Sequence, residues 1–272
     1  MSSRLAAAFE RASTAGRPAL ITYVVPGHPA PEETPALLDA MIAGGADIVE
    51  IGVPFSDPLA DGTTVQRVSF EALAQGTTLA KCIDFVREAR ARHPSTPFVF
   101  MSYLNPVLAY GLERFAADAG SAGADGVILV DLPPEEADAA KSALNAHELD
   151  LIFLVAPTSS DERLQIVADH AGGFIYCVSV AGVTGARDEL PSGLADFVAR
   201  VRRCTPLPLA VGFGISRREH IESLAGVADG VVVASALLNL INAREAEQRA
   251  GAVREFVETL TGHRSASEAR QA

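Results

Sequence analysis

Eight short apolar runs recur along the chain, each rich in β-branched residues, and helix-patterned segments lie between them. The runs are ALITYVV (19–25), DIVEIGV (47–53), PFVFMSY (97–103), GVILVDL (126–132), DLIFLVA (150–156), FIYCVSV (174–180), PLAVGF (208–213) and GVVVAS (230–235). A strand with one wet face alternates apolar and polar residues. These runs do not, so they suit parallel strands covered on both faces. Parallel neighbours need crossover connections, and helices supply them. In the intervening segments the apolar residues fall on one helical face: Leu37, Leu38, Met41 and Ile42; then Leu79, Ile83 and Val86; then Leu164 and Val167 behind Ser160 or Asp161 as N-cap. Glycines at 44, 45, 123, 172 and 173 close such helices just before the next strand.

Eight βα units in 272 residues predict a single-domain α/β chain, a (β/α)8 TIM barrel over residues 1–262. A short amphipathic helix opens it in MSSRLAAAFERAS, and the polar tail 263–272 is expected to be disordered. An open doubly wound sheet is the rival, because strand count does not prove closure. No linker or shift in composition divides the chain.

Apolar residues make up 49% of the sequence, enough for a large core. The net charge of −12 argues against nucleic acid or an anionic membrane surface as main partner, so a phosphorylated ligand has to be held by local features. No apolar stretch reaches the roughly 18 residues of a membrane span, and the first residues lack the pattern of a secretory signal. Cys82, Cys177 and Cys204 are far apart, with no CxxC or Cys/His cluster. Neither a disulfide framework nor a zinc site is expected, and a reducing cytoplasm fits.

In such folds the site lies beyond the carboxyl ends of the strands. PGHP (26–29) follows the first run, and AGVTGARDELPSG (181–193) follows the sixth. Glycines at 185, 212 and 214 let backbone N–H groups approach a ligand without interference from Cβ. Ala234 and Ser235 offer N–H groups where a helix begins, the end that attracts anions. With the GFG turn around Phe213, this pattern predicts a phosphate cradle; ordinary turn glycines are the alternative.

Glu50 stands inside the second run, in EIGVPFSDPLADG (50–62), between apolar neighbours. Alternation points it into the barrel, where an unpaired carboxylate is expensive and its pKa rises. That suits a group that accepts and returns protons near neutral pH; a structural ion pair is the bland alternative. Asp61 ends a loop stiffened by Pro54 and Pro58, and reads either as the N-cap of the next helix or as a carboxylate aimed at a substrate. Asp57 reads as a turn former. Tyr103, Asn105 and Tyr176 are candidate pocket residues, although buried tyrosines more often only pack. His93, His147, His170, His220 and His263 are expected to be solvated near helix ends, and His28 to be at best a rim residue.

The 50–62 segment closely resembles the signature of the tryptophan synthase α subunit family. The likeness runs from about Gly16 to Gly262 and includes ADIVEIGVPFSDPLADG (46–62), YLNPVLAYG (103–111), AGVTGAR (181–187), VGFGIS (211–216) and Ser235. It implies a barrel lyase that splits indole-3-glycerol phosphate into indole and glyceraldehyde 3-phosphate. Glu50 falls at the family's acid–base glutamate and Asp61 at its second catalytic aspartate. Gly185, Gly214 and Ser235 fall at phosphate-binding positions, Tyr23, Tyr103 and Tyr176 at pocket positions, and Thr184 joins Asp61 in loop closure. The resemblance also implies no cofactor in this chain, and a β subunit partner carrying pyridoxal phosphate in an α2β2 complex. The chain departs from the commonest family pattern at Pro26, His28, Thr63, Val180 and Ala234.

Three other readings compete. A sugar-phosphate isomerase or epimerase of the metal-using kind would bring histidines to the strand ends, where only His28 lies close. An indole-glycerol phosphate synthase would bring a lysine, and the strand-end stretches hold none. A catalytically silent barrel that only binds a partner would not need the intact pair Glu50 and Asp61.

Overall fold

The computed structural model describes residues 2–178, 193–212 and 214–262. All eight expected strands form: β1 (Ala19–Val24), β2 (Ile48–Gly52), β3 (Phe98–Ser102), β4 (Gly126–Leu129), β5 (Asp150–Val155), β6 (Ile175–Val178), β7 (Leu209–Gly212) and β8 (Gly230–Val233). They pair in sequence order, all parallel, and β1 pairs with β8. The sheet is therefore closed, and the open alternative falls. The helices are α1 (Ser3–Thr14), α2 (Thr34–Ala43), α3 (Thr63–Ala74), α4 (Leu79–Arg92), α5 (Leu104–Tyr110), α6 (Leu112–Ala122), α7 (Asp138–Asn145), α8 (Asp161–His170), α9 (Leu194–Arg202), α10 (Arg218–Ser223), α11 (Ser235–Asn242) and α12 (Ala246–Thr261). The tail over 263–272 lies outside the described residues.

Each strand divides its side chains between two cores. Outward residues such as Leu20, Val49, Phe100 and Val127 meet the helix ring, including Leu37, Leu38, Ile83 and Val86. Inward residues Ile21, Ile48, Val99, Ile128, Ile152 and Val232 fill the lower barrel. Amphipathic α1 closes this lower end by laying Leu5, Ala8, Phe9 and Ala12 on that layer. Ser160 caps α8, its hydroxyl accepting from Arg163 N, as the sequence suggested.

At the amino ends of the strands a repeated staple appears. Asp47, Asp125 and Asp229 each precede a strand and accept the main-chain N–H of Leu20, Phe98 and Leu209 on the strand before, at 2.7, 2.9 and 2.7 Å. Each carboxylate also pairs with an arginine: Arg17, Arg90 and Arg202. The lower rim is thus used up in holding strands together, which leaves the upper rim for chemistry.

Candidate active site

At the upper end, Tyr23 of β1 stands beside Glu50 of β2 in register. Glu50 is two residues beyond Ile48, which faces the barrel interior, so alternation turns the carboxyl the same way. The residue is 1% exposed, and neither carboxyl oxygen has a hydrogen-bond partner among the described residues. Burial alone pushes its pKa up to about 8. Among the described residues no cation pairs with Glu50, against the ion-pair alternative.

Tyr23 and Tyr176 both reach this chamber. Burial raises both phenols well above their ordinary value, and the Asp61 and Glu50 carboxylates raise them further. Two glycines make room for the rings. A Cβ at Gly52 would stand 2.1 Å from the Tyr23 hydroxyl oxygen, and one at Gly212 would stand 2.4 Å from that of Tyr176. Gly52→Ala is expected to force the Tyr23 ring aside, at about 1–3 kcal/mol of overpacking. A lowered melting temperature with reduced turnover would show it; unchanged values for both would mean the ring moves without consequence.

Asp61 is placed by Tyr103 rather than by a helix cap. The N-cap of α3 is Gly62, with no side-chain cap bond. The Tyr103 hydroxyl accepts from Ala60 N at 2.9 Å, which holds the loop beside it, and its nearness lowers the Asp61 pKa. Burial raises the Asp61 pKa to about 6 against the lowering effect of the Tyr103 hydroxyl. Gln66 Nε2 ties the loop to the first turn of α3 through the carbonyls of Asp61 at 2.9 Å and Pro58 at 3.2 Å. The Phe55 ring lies 5.1 Å from that of Tyr103. Asp131, after β4, accepts from Leu104 N at 2.7 Å and so fixes the segment that carries Tyr103. Gln66 and Asp131 escaped the sequence reading, because their partners are distant or main-chain atoms.

Further round the same upper rim, Gly214 takes a positive φ of 37°. Ala234 precedes α11, whose first helical bond runs from Leu238 N to Ala234 O at 3.0 Å. The N–H groups of Ser235, Ala236 and Leu237 are therefore left without intrahelical acceptors. Ala234 packs against the cluster that contains Tyr23 and Leu238, which sets this helix start beside the Glu50 chamber. Thr184, Gly185 and Phe213 lie outside the described residues. Among the described residues no group of three His, Cys, Asp or Glu is placed to hold a metal ion. Both lysines lie on outer helices, where Lys81 donates to Gly76 O and Lys141 to Asp169 O. Leu59 and Leu108 are large apolar side chains that remain exposed, at 91% and 56%.

The histidines correct the sequence reading. His28 is no rim residue: it is buried beneath α3, with Nδ1 3.0 Å from Glu71 Oε2. His220 is buried too, and its ring nitrogen faces Ser216 N. His93 and His170 are half-buried and face Asp39 and Asp138, while His147 is exposed as expected. Helix ends here pack onto neighbouring helices rather than into water.

The family model described as tryptophan synthase alpha chain matches residues 9–267. The chain belongs to the tryptophan synthase alpha chain family. It is 52% identical to the tryptophan synthase alpha chain of Roseiflexus sp. (strain RS-1), over 96% of this chain and 100% of that one. It is 49% identical to that of Geobacter sulfurreducens, over 95% and 97%. Among solved structures, tryptophan synthase subunit alpha from Legionella pneumophila str. Paris superposes with a TM-score of 0.88 at 38% identity, over 96% of this chain and 98% of that chain. Tryptophan synthase from Mycobacterium tuberculosis gives 0.88 at 37%, over 96% and 98%. As a tryptophan synthase alpha chain, the protein is a carbon–carbon lyase that cleaves indole-3-glycerol phosphate in tryptophan biosynthesis. No helix among the described residues is long and apolar enough to cross a membrane.

Proposed function

We propose that Glu50 is the acid–base group of this cleavage and Asp61 its electrostatic partner. The observation that carries the reading is the Glu50 carboxyl, 1% exposed and without a hydrogen-bond partner among the described residues, so that burial pushes its pKa up to about 8 while that of Asp61 rises to about 6. Between those values Glu50 holds its proton and Asp61 is ionised. Protonated Glu50 delivers its proton to the indole ring carbon bearing the side chain. The bond from that carbon to the glycerol carbon then breaks, and its electron pair returns to the ring. The hydroxyl on the departing carbon becomes the aldehyde carbonyl and gives its proton back to Glu50. Indole and glyceraldehyde 3-phosphate result, and Glu50 ends as it began. Ionised Asp61 offsets the positive charge that develops at the indole N–H.

The phosphate is assigned to main-chain N–H groups of Gly214, Ala234 and Ser235, together with Gly185; Phe213 and Thr184 belong to the same rim, and Thr184 to loop closure. Backbone donors at a helix start support this, since they hold an anion without a lysine. Tyr23, Tyr103 and Tyr176 wall the indole. The pyridoxal phosphate of the full synthase belongs to the β subunit, with which this chain forms an α2β2 assembly in the cytoplasm. The exposed Leu59 and Leu108 beside the mouth suit such a partner.

Asp61→Asn is expected to cut indole release roughly 10²-fold, the usual loss when one preorganised electrostatic contact to a transition state is removed. The wild-type rate is expected to follow a bell between the two carboxyl pKa values, falling below about 6 as Asp61 protonates and above about 8 as Glu50 ionises. The variant should lose the acid limb. An unchanged rate and profile would leave Asp61 with no part in the reaction.

A further inference from the structure

The loop that carries Asp61 rides on α3. Gln66 binds the loop carbonyls of Pro58 and Asp61, and α3 starts two residues after Asp61. The inner face of α3, Val65, Val68 and Ala72, packs on Tyr23, Val25 and Leu238. Apolar packing is non-directional, so a polar contact adds to what fixes the station of the helix. One polar contact does so from the loop after β1: His28, itself 1% exposed, places Nδ1 3.0 Å from Glu71 Oε2 on the outer part of α3. The approach is at hydrogen-bond distance but off its direction, and both ring nitrogens are buried without an aligned partner. The loop bearing His28 is itself clamped, with Gly27 N donating to Thr34 Oγ1 at 3.0 Å. At Gly27, Thr77 Oγ1 comes within 2.0 Å of where a Cβ would stand.

We infer that His28 and Glu71 form a positioning pair that fixes α3 on the barrel and thereby holds the Asp61 carboxylate at its station over the substrate. The inference rests on the role given above to Asp61. Three charged groups face the imidazole or its partner. Glu71 and Arg67 come from α3, and Arg249 comes from α12, where Glu33 binds it at 2.7 and 2.8 Å. Burial lowers the ring's pKa, Glu71 raises it, and Arg67 and Arg249 lower it again. Burial outweighs Glu71, so the neutral ring is favoured and the pair tends to an imidazole against a carboxylate.

Glu71 is 46% exposed, so Glu71→Gln is expected to fold, and it is the primary test. The assay is indole release from indole-3-glycerol phosphate by the chain with its β partner, with kcat and KM separated. Glu71→Gln should lower kcat about fivefold or more, with KM within about twofold, because Asp61 acts on the transition state. His28→Asn should do the same, and the double variant should be no slower than the slower single one. In an Asp61→Asn background, Glu71→Gln should have no further effect. The imidazole of His28, followed by NMR, should titrate at lower pH once the Glu71 charge is gone. A folded Glu71→Gln variant with wild-type kcat, beside a crippled Asp61→Asn variant, overturns the positioning role alone. A wild-type rate in Asp61→Asn overturns the reading beneath it, and this inference with it.

Discussion

Glu50→Gln is expected to abolish indole release, lowering turnover by about 10²–10⁴-fold, the range for removal of a positioned acid–base group. The barrel should fold and bind its β partner as before, since no hydrogen-bond partner of the Glu50 carboxyl among the described residues loses a contact. The same change should alter the pH dependence of stability. The carboxyl pKa is about 8 in the folded chain against an ordinary 4.5. The folded state therefore binds more protons than the unfolded chain between those values. Its contribution is full below the ordinary value and lost as pH rises through 8. Glutamine does not titrate, so the melting temperature of the variant should gain on that of the wild type as pH rises through this window. A parallel pH dependence in both proteins would mean that Glu50 is not buried in this way.

Asp125→Ala is expected to cost about 3–5 kcal/mol of stability, the range for stripping one partner from a buried ion pair. Asp125 is 1% exposed and accepts from Ser2 Oγ, Arg4 Nε, Arg90 Nη2 and Phe98 N at 2.6, 2.7, 2.8 and 2.9 Å. Its loss strands the start of β3 and leaves Arg90 with carbonyl partners only, those of Gly123, His93, Pro94 and Thr96. At the scaling of a chain this size, the melting temperature should fall by roughly 10 °C. Arg4 is one third exposed, so Arg4→Ala should cost far less. Equal losses from the two changes would mean that the staple works through α1 and not through the strands.

The strands were legible because strands covered on both faces leave near-continuous apolar runs, and every one of these eight became a barrel strand. The inward direction of Glu50 was expected from strand alternation, and Ile48, two residues before it, does face the barrel interior. What stayed hidden depended on contacts between distant segments. Asp61 had the sequence context of a helix cap, yet Gly62 takes the cap position of α3 and the loop is held through Ala60 N by Tyr103, 42 residues beyond Asp61. His28 looked like a rim residue, because nothing local announces that α3 will cover it. Gly45-Ala46-Asp47 and Gly123-Ala124-Asp125 precede β2 and β4, and nothing local announces that their aspartates staple the lower rim.

The most direct test is a crystal structure of the chain with a non-cleavable indole alkyl phosphate. The phosphate should lie on the main-chain N–H groups of Gly214 and Ser235, with the Glu50 carboxyl within about 3.5 Å of the indole carbon that carries the side chain. A phosphate bound elsewhere, or Glu50 turned to bulk water or paired with an arginine, would contradict the account.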